Sequence, residues 1–170
     1  MSRRPQESEA AKQNFTYIDK IAGDDIVTIL EDQIGEALEL FSGISEEASL
    51  SRYAQDKWSI RQTLNHINDT ERVYAYRALW FARNLPSPLP GYDQDAAALA
   101  SEADGMPWAA HVEEFRRVRM ASVSLFAALP PDAWMRTGTA DGSQVTVRAI
   151  AFIIGGHLAH HIGLLRERYL

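Results

Sequence analysis

Apolar residues recur at steps of three and four along four separate stretches of this chain, the spacing that places them on one face of an α-helix. In the first stretch Asp24 or Asp25 can cap a helix that carries Ile26, Leu30, Ile34, Leu38 and Phe41 and ends near Ser42-Gly43. In the second, Ser59 followed three residues later by Gln62 forms a capping box. It opens a helix to about Asn84, with Ile60, Leu64, Ile67, Tyr74, Ala78 and Phe81 along its stripe. Pro107 and Trp108 start the third, which runs to about Leu129 with Trp108, Val112, Phe115, Val118, Ser122, Leu125 and Leu129 in register; Pro130-Pro131 stops it. Thr146 caps the fourth, which continues to Leu170. Leu85 to Gln94 holds Pro86, Pro88, Pro90 and Gly91, which exclude helix and central strand, so a long surface loop is expected between helices 2 and 3. Arg136 to Val145, with Asp141-Gly142 as its turn, is expected to form a small irregular hairpin. The pattern predicts an all-α fold, a four-helix bundle, in one domain spanning residues 1–170 whose polar start, about 1–14, is flexible.

Composition narrows the functions open to such a bundle. The net charge is −6 and no Lys/Arg run supplies a basic face, which argues against a nucleic-acid partner. Arg116, Arg117 and Arg119 cluster and read as a solvated helix face. There is no cysteine, so neither a disulfide nor a thiolate ligand or nucleophile exists within the chain. No apolar run of eighteen residues and no signal-peptide pattern stands out, which gives the expectation of a cytoplasmic protein without a membrane partner.

The chemistry-bearing residues gather in the fourth helix, which holds three of the five histidines. His157 and His161 stand four apart, so their Cβ atoms lie roughly 6 Å apart on successive turns of one face. Such a pair is also common on solvated surfaces. Here, however, both fall inside the arc of Ile150, Ile153, Ile154, Leu158, Leu164 and Leu165, and burying two imidazoles without partners is costly. Neutral imidazole is the commonest metal ligand, and a catalytic site takes three protein ligands with one position open. His66, at the edge of the second helix's stripe, is the natural third ligand. On the helical wheel His161 lies deep in the apolar face and His160 at its border, where His160 could serve catalysis without ligating. Asp69, one turn after His66, either orients that imidazole or acts as a base; an ion pair with Arg72 is the alternative. Glu71 points to the apolar side and fits a core arginine as partner, while His111, alone on its helix, reads as structural. Gly155 and Gly156 weaken the helix just before His157, which suggests close packing or room for a ligand. Tyr92, Asp93 and Asp95 on the proline-rich loop either close over the site or are simply solvated.

Trp58-Ser59-Ile60-Arg61-Gln62, His66 to Arg72, Leu89 to Asp95 and Gly156-His157-Leu158-Ala159-His160-His161 together resemble the DinB-like family of YfiT-type four-helix proteins, over most of the chain. The resemblance implies a divalent metal, zinc or nickel most often, on His66, His157 and His161. It also implies kinship with thiol-dependent transferases and isomerases that use low-molecular-weight thiols. The expectation is therefore a metal-dependent transferase or hydrolase acting on a small-molecule substrate, as a homodimer. The competing expectation is a non-enzymatic, metal-stabilised bundle that dimerises or binds a ligand, with Trp80, Trp108, Trp134, Tyr74 and Tyr76 as interface candidates. Because ligating imidazoles must be neutral, metal affinity is expected to fall as pH drops through about 6.5.

Overall fold

The structure is a computed structural model describing residues 3–170. The four long helices form where the pattern places them: α2 (Ile26–Ser42), α3 (Ile60–Ala82), α5 (Trp108–Ala127) and α6 (Val147–Arg168). Two short helices accompany them, α1 (Phe15–Ile18) and α4 (Gln94–Ala100), and β1 (Thr137–Ala140) pairs antiparallel with β2 (Ser143–Thr146). Helices α3 and α6, α3 and α5, α2 and α5, and α2 and α6 pack pairwise, which closes a four-membered ring.

The helix starts follow their capping chemistry. Ser59 Oγ accepts from the Gln62 amide at 3.0 Å while Gln62 Oε1 accepts from the Ser59 amide at 3.0 Å, so two donors at the start of α3 are satisfied reciprocally. Thr146 Oγ1 accepts from the Ala149 amide at 3.0 Å at the head of α6. The hairpin turns through Asp141 and Gly142, both at positive φ (51° and 69°), the requirement of a two-residue turn that matches strand twist. Gly138 lets this hairpin lie on the end of α3, because a Cβ there would stand 2.0 Å from the Phe81 ring.

Several expectations shift in phase or extent. On α2 the buried face is Ile26, Leu30, Gln33, Ala37 and Phe41, with Ile34 and Leu38 half-buried, because Gln33 finds polar partners in the core. Arg119 does not belong to a solvated face: it is fully buried and paired with Glu71, whereas Arg116 and Arg117 pair with Glu113 near the surface. The proline-rich loop ends where expected, but a short helix that the pattern did not show follows it, because Asp93 caps α4, accepting from the amides of Asp95 and Ala96. Residues 3–14 are held rather than loose: Glu9 is buried and accepts from Thr146 Oγ1 and Arg148 Nε, each at 2.9 Å. Met1 and Ser2, the rest of that stretch, lie outside the described residues. Trp108 is buried, its Nε1 donating to the Phe41 carbonyl at 3.1 Å, and so is removed from any interface. Helix α6 is long and apolar enough to cross a bilayer by composition, but 67% of its most apolar window is buried, and it serves as the central strut of the bundle.

Candidate metal centre

His66 on α3 and His157 and His161 on α6 meet where these two helices pack. His66 Nε2 lies 3.0 Å from His157 Nε2, and His161 Nε2 lies 3.1 Å from the same atom. Two nitrogens each about 2.0–2.1 Å from one ion, at angles between octahedral and tetrahedral, stand about 2.8–3.4 Å apart. Both separations fall in this range, and one nitrogen from each of the three rings lies within 4.8 Å of the others, so the trio can hold a shared cation. Hydrogen bonding alone fits less well, since His157 Nε2 faces both other Nε2 atoms with a single proton or a single lone pair to offer. Among the described residues this is the group of side chains that could hold a metal ion, and all three are buried.

Burial also sets the protonation state. It pulls His66 down to about 4 against the opposing charge of Asp95, and His161 down to about 3 with help from His66 and His160. His157 is lowered well below the ordinary imidazole value by burial first, then by His161, His66, His160 and Arg119. All three are thus neutral, the form that ligates. Behind His66, Thr70 Oγ1 lies 3.3 Å from Nδ1, where it can fix the ring with Nε2 directed at the centre. His161 Nδ1 is buried without a hydrogen-bond partner.

Neighbouring elements wall the site. The Trp58 ring, just before α3, lies 4.8 Å from that of His66. Tyr17 of α1 sets its ring edge-on to His157 at 5.3 Å and to His160 at 5.6 Å. The glycine pair explains this approach: a Cβ on Gly156 would stand 2.0 Å from the Tyr17 carbonyl oxygen, and one on Gly155 would press on Ile21 at 3.2 Å. Close packing is the reading of the two that holds. A cavity of about 300 Å³ reaches His161, walled by Trp58, Thr63, Tyr53, Tyr169 and Leu164, with the charged Asp56, Lys57 and Asp95 also on its lining.

The other expected residues fall at different distances from this centre. Asp69 does not orient His66: its oxygens accept from Asn65 Nδ2 at 2.8 Å and Arg72 at 3.3 Å, and Thr70, one residue on, reaches the imidazole instead. His160 is half-buried beside Tyr17 and His161 and is not among the residues lining the cavity. Glu71 has its core arginine, and His111 is structural, its Nε2 bonded to the Ala103 carbonyl at 2.9 Å. Of the loop acids, Asp95 faces the site, while Asp93 is occupied as a helix cap. Tyr17 left no signal in the sequence, since a four-residue helix has no periodicity to read; Thr70, four residues after His66, lies where a helix brings side chains together.

The sequence profile of the DinB superfamily matches residues 29–165, a span that contains all three histidines. The chain belongs to the DinB superfamily. No curated protein matches it. Among solved structures, this DinB protein is similar to YfiT from Bacillus subtilis, described as "a probable metal-dependent hydrolase with an unusual four-helix bundle topology". The TM-score is 0.66 at 16% identity over 98% of this chain and 93% of that one. It is also similar to a variant of mycothiol-dependent maleylpyruvate isomerase, with a TM-score of 0.68 and 11% identity over 85% of this chain. The match spans only 61% of the isomerase, and at these identities both likenesses concern the fold.

Proposed function

We propose that this DinB protein is a metal-dependent hydrolase of a small molecule that binds in the cavity beside His161. The convergence of three buried, neutral imidazoles, one of which, His161, lines a cavity that the Asp95 carboxylate also lines, supports this reading most directly. A divalent ion on His66, His157 and His161 would supply Lewis acidity, polarising an electrophilic carbon's oxygen and lowering the pKa of water toward about 7.

The remaining work falls to residues of this chain. Trp58, Tyr53, Tyr169 and Leu164 bind the apolar part of the substrate and keep bulk water from the His66 side. The Tyr169 hydroxyl donates to the Trp58 carbonyl at 2.6 Å, which ties the end of α6 to the segment before α3 and holds this wall in place. Asp95 takes the proton from the attacking water as its oxygen bonds to the substrate carbon. It then delivers that proton to the leaving group as the old bond breaks. Asp95 is preferred to Asp69 because it lines the cavity with His161 and its charge acts on His66, whereas Asp69 is engaged by Asn65 and Arg72.

A second reading, transfer of an organic group to a low-molecular-weight thiol, is favoured by the absence of cysteine from the chain and by the fold likeness to the mycothiol-dependent isomerase. The two are separated by assaying ester and amide substrates with tag-free protein, metal-loaded and chelated, with and without added thiol. Hydrolysis is expected to require metal but not thiol, and Asp95→Asn to lower kcat by about 10²–10⁴. Turnover only with thiol would favour transfer. Undiminished turnover after complete metal removal would overturn both.

A further inference from the structure

A polar layer divides the apolar core of the bundle in two. Gln33 on α2 lies between Leu30 and Ala37, and Glu71 on α3 lies between Ile67 and Ala78. Arg119 on α5 lies between Phe115 and Phe126, and Gly155 on α6 lies between Ile154 and Leu158. In every case one neighbour belongs to each apolar cluster. Arg119 Nε and Nη2 donate to the two oxygens of Glu71 at 2.8 and 2.9 Å, and Nη1 donates to Gln33 Oε1 at 2.7 Å. Gln33 Nε2 in turn donates to the Gly155 carbonyl at 3.1 Å. One chain of hydrogen bonds thus joins all four long helices at a single level.

Stability alone does not account for such a layer. Replacing a buried ion pair with apolar groups of similar volume is often neutral or stabilising. What the network adds is register, since apolar faces tolerate small slides while a bidentate arginine fork does not. The helices that must be in register for the imidazoles to converge are α3 and α6, and the network touches both close to the ligands. Glu71 lies five residues after His66, and Gly155 two residues before His157.

We propose that Arg119, clamped by Glu71 and relayed through Gln33, is a positioning residue for the metal centre, setting the height of the Gly155–His157 backbone against His66. The inference rests on the metal-centre reading and adds a cause for the site's geometry. Its test is cobalt(II) titration of the tag-free full chain, followed by d–d absorption, alongside thermal melting of the metal-free protein. The triple variant Arg119→Met/Glu71→Leu/Gln33→Leu is expected to melt no lower than the parent yet to bind cobalt about 10–100-fold more weakly, with an altered absorption band. Gln33→Met, which leaves the Arg119–Glu71 pair in place but removes the Arg119–Gln33 bond and with it the link to α6, is expected to lose about 10-fold. It decides the matter if the triple variant does not fold. Parent-like affinity and absorption in a folded variant would overturn the positioning role alone. A parent that takes up no cobalt would overturn the metal centre and this role together.

Discussion

At the scale of single residues the three convergent histidines are not equivalent to the other two. Each of His66→Ala, His157→Ala and His161→Ala removes one of three convergent nitrogens, and each is expected to abolish stoichiometric metal binding. His111→Ala is expected to retain the metal but to lose stability, because its Nε2 bonds a buried carbonyl. His160→Ala, whose ring lies 5.1 Å from His161 but outside the convergent group, is expected to keep the metal as well. Elemental analysis of the purified variants checks all five; an empty His160 variant beside a full His161 variant would reverse the ligand assignment. The shared buried face of His157 and His161 was legible because four-residue spacing and the apolar arc both act within one helix. Arg119 was not, since its neighbours in sequence are solvated arginines and the partner that buries it, Glu71, stands 48 residues away. Glu71 was easier to read, being a lone acid on an apolar stripe.

At the scale of elements, α6 is built to be approached. Its glycines are placed for different surroundings, which gives a contrast within one helix. Gly156→Ala would put a Cβ 2.0 Å from backbone of α1, an obstacle no side-chain rotation can relieve. The expected cost is at least about 1–3 kcal/mol, with α1 and Tyr17 displaced from His157. Gly163→Ala meets nothing within 4 Å and is expected to stabilise by up to about 1 kcal/mol, the helix-propensity difference. Urea denaturation of the two metal-free variants measures both, and a Gly156→Ala protein as stable as its parent would remove the case for close packing of α1. The four long helices and the hairpin were readable because caps, periodicity and turn residues are local signals. The short α1 and α4 were hidden for the opposite reason: each is held by packing on the bundle, and neither is long enough to show a stripe.

At the scale of the whole molecule, the cost of keeping imidazoles neutral in the core links folding to pH. In the unfolded chain each histidine takes up a proton near about 6.5. In the folded, metal-free protein His66 does so only near about 4 and His161 near about 3, and His157 is also lowered, each because burial disfavours the charged ring. Below about 6.5 the unfolded state therefore binds more protons than the folded state, so stability falls as pH falls and the loss levels off once the folded values are passed. For His66 alone the shift corresponds to about 3 kcal/mol. Urea denaturation of the metal-free protein is thus expected to show markedly lower stability at about pH 5 than at about pH 7.5. Metal affinity of the folded protein should behave differently. Protons compete for the ligands only near their folded values, so affinity is expected to hold down to about pH 5 and to fall below it, rather than through the ordinary histidine range. Isothermal titration with zinc across that range separates the two. A release midpoint near about 6.5 would mean that the rings are solvated before metal arrives, and that the buried arrangement of the three histidines is not the state that captures the ion.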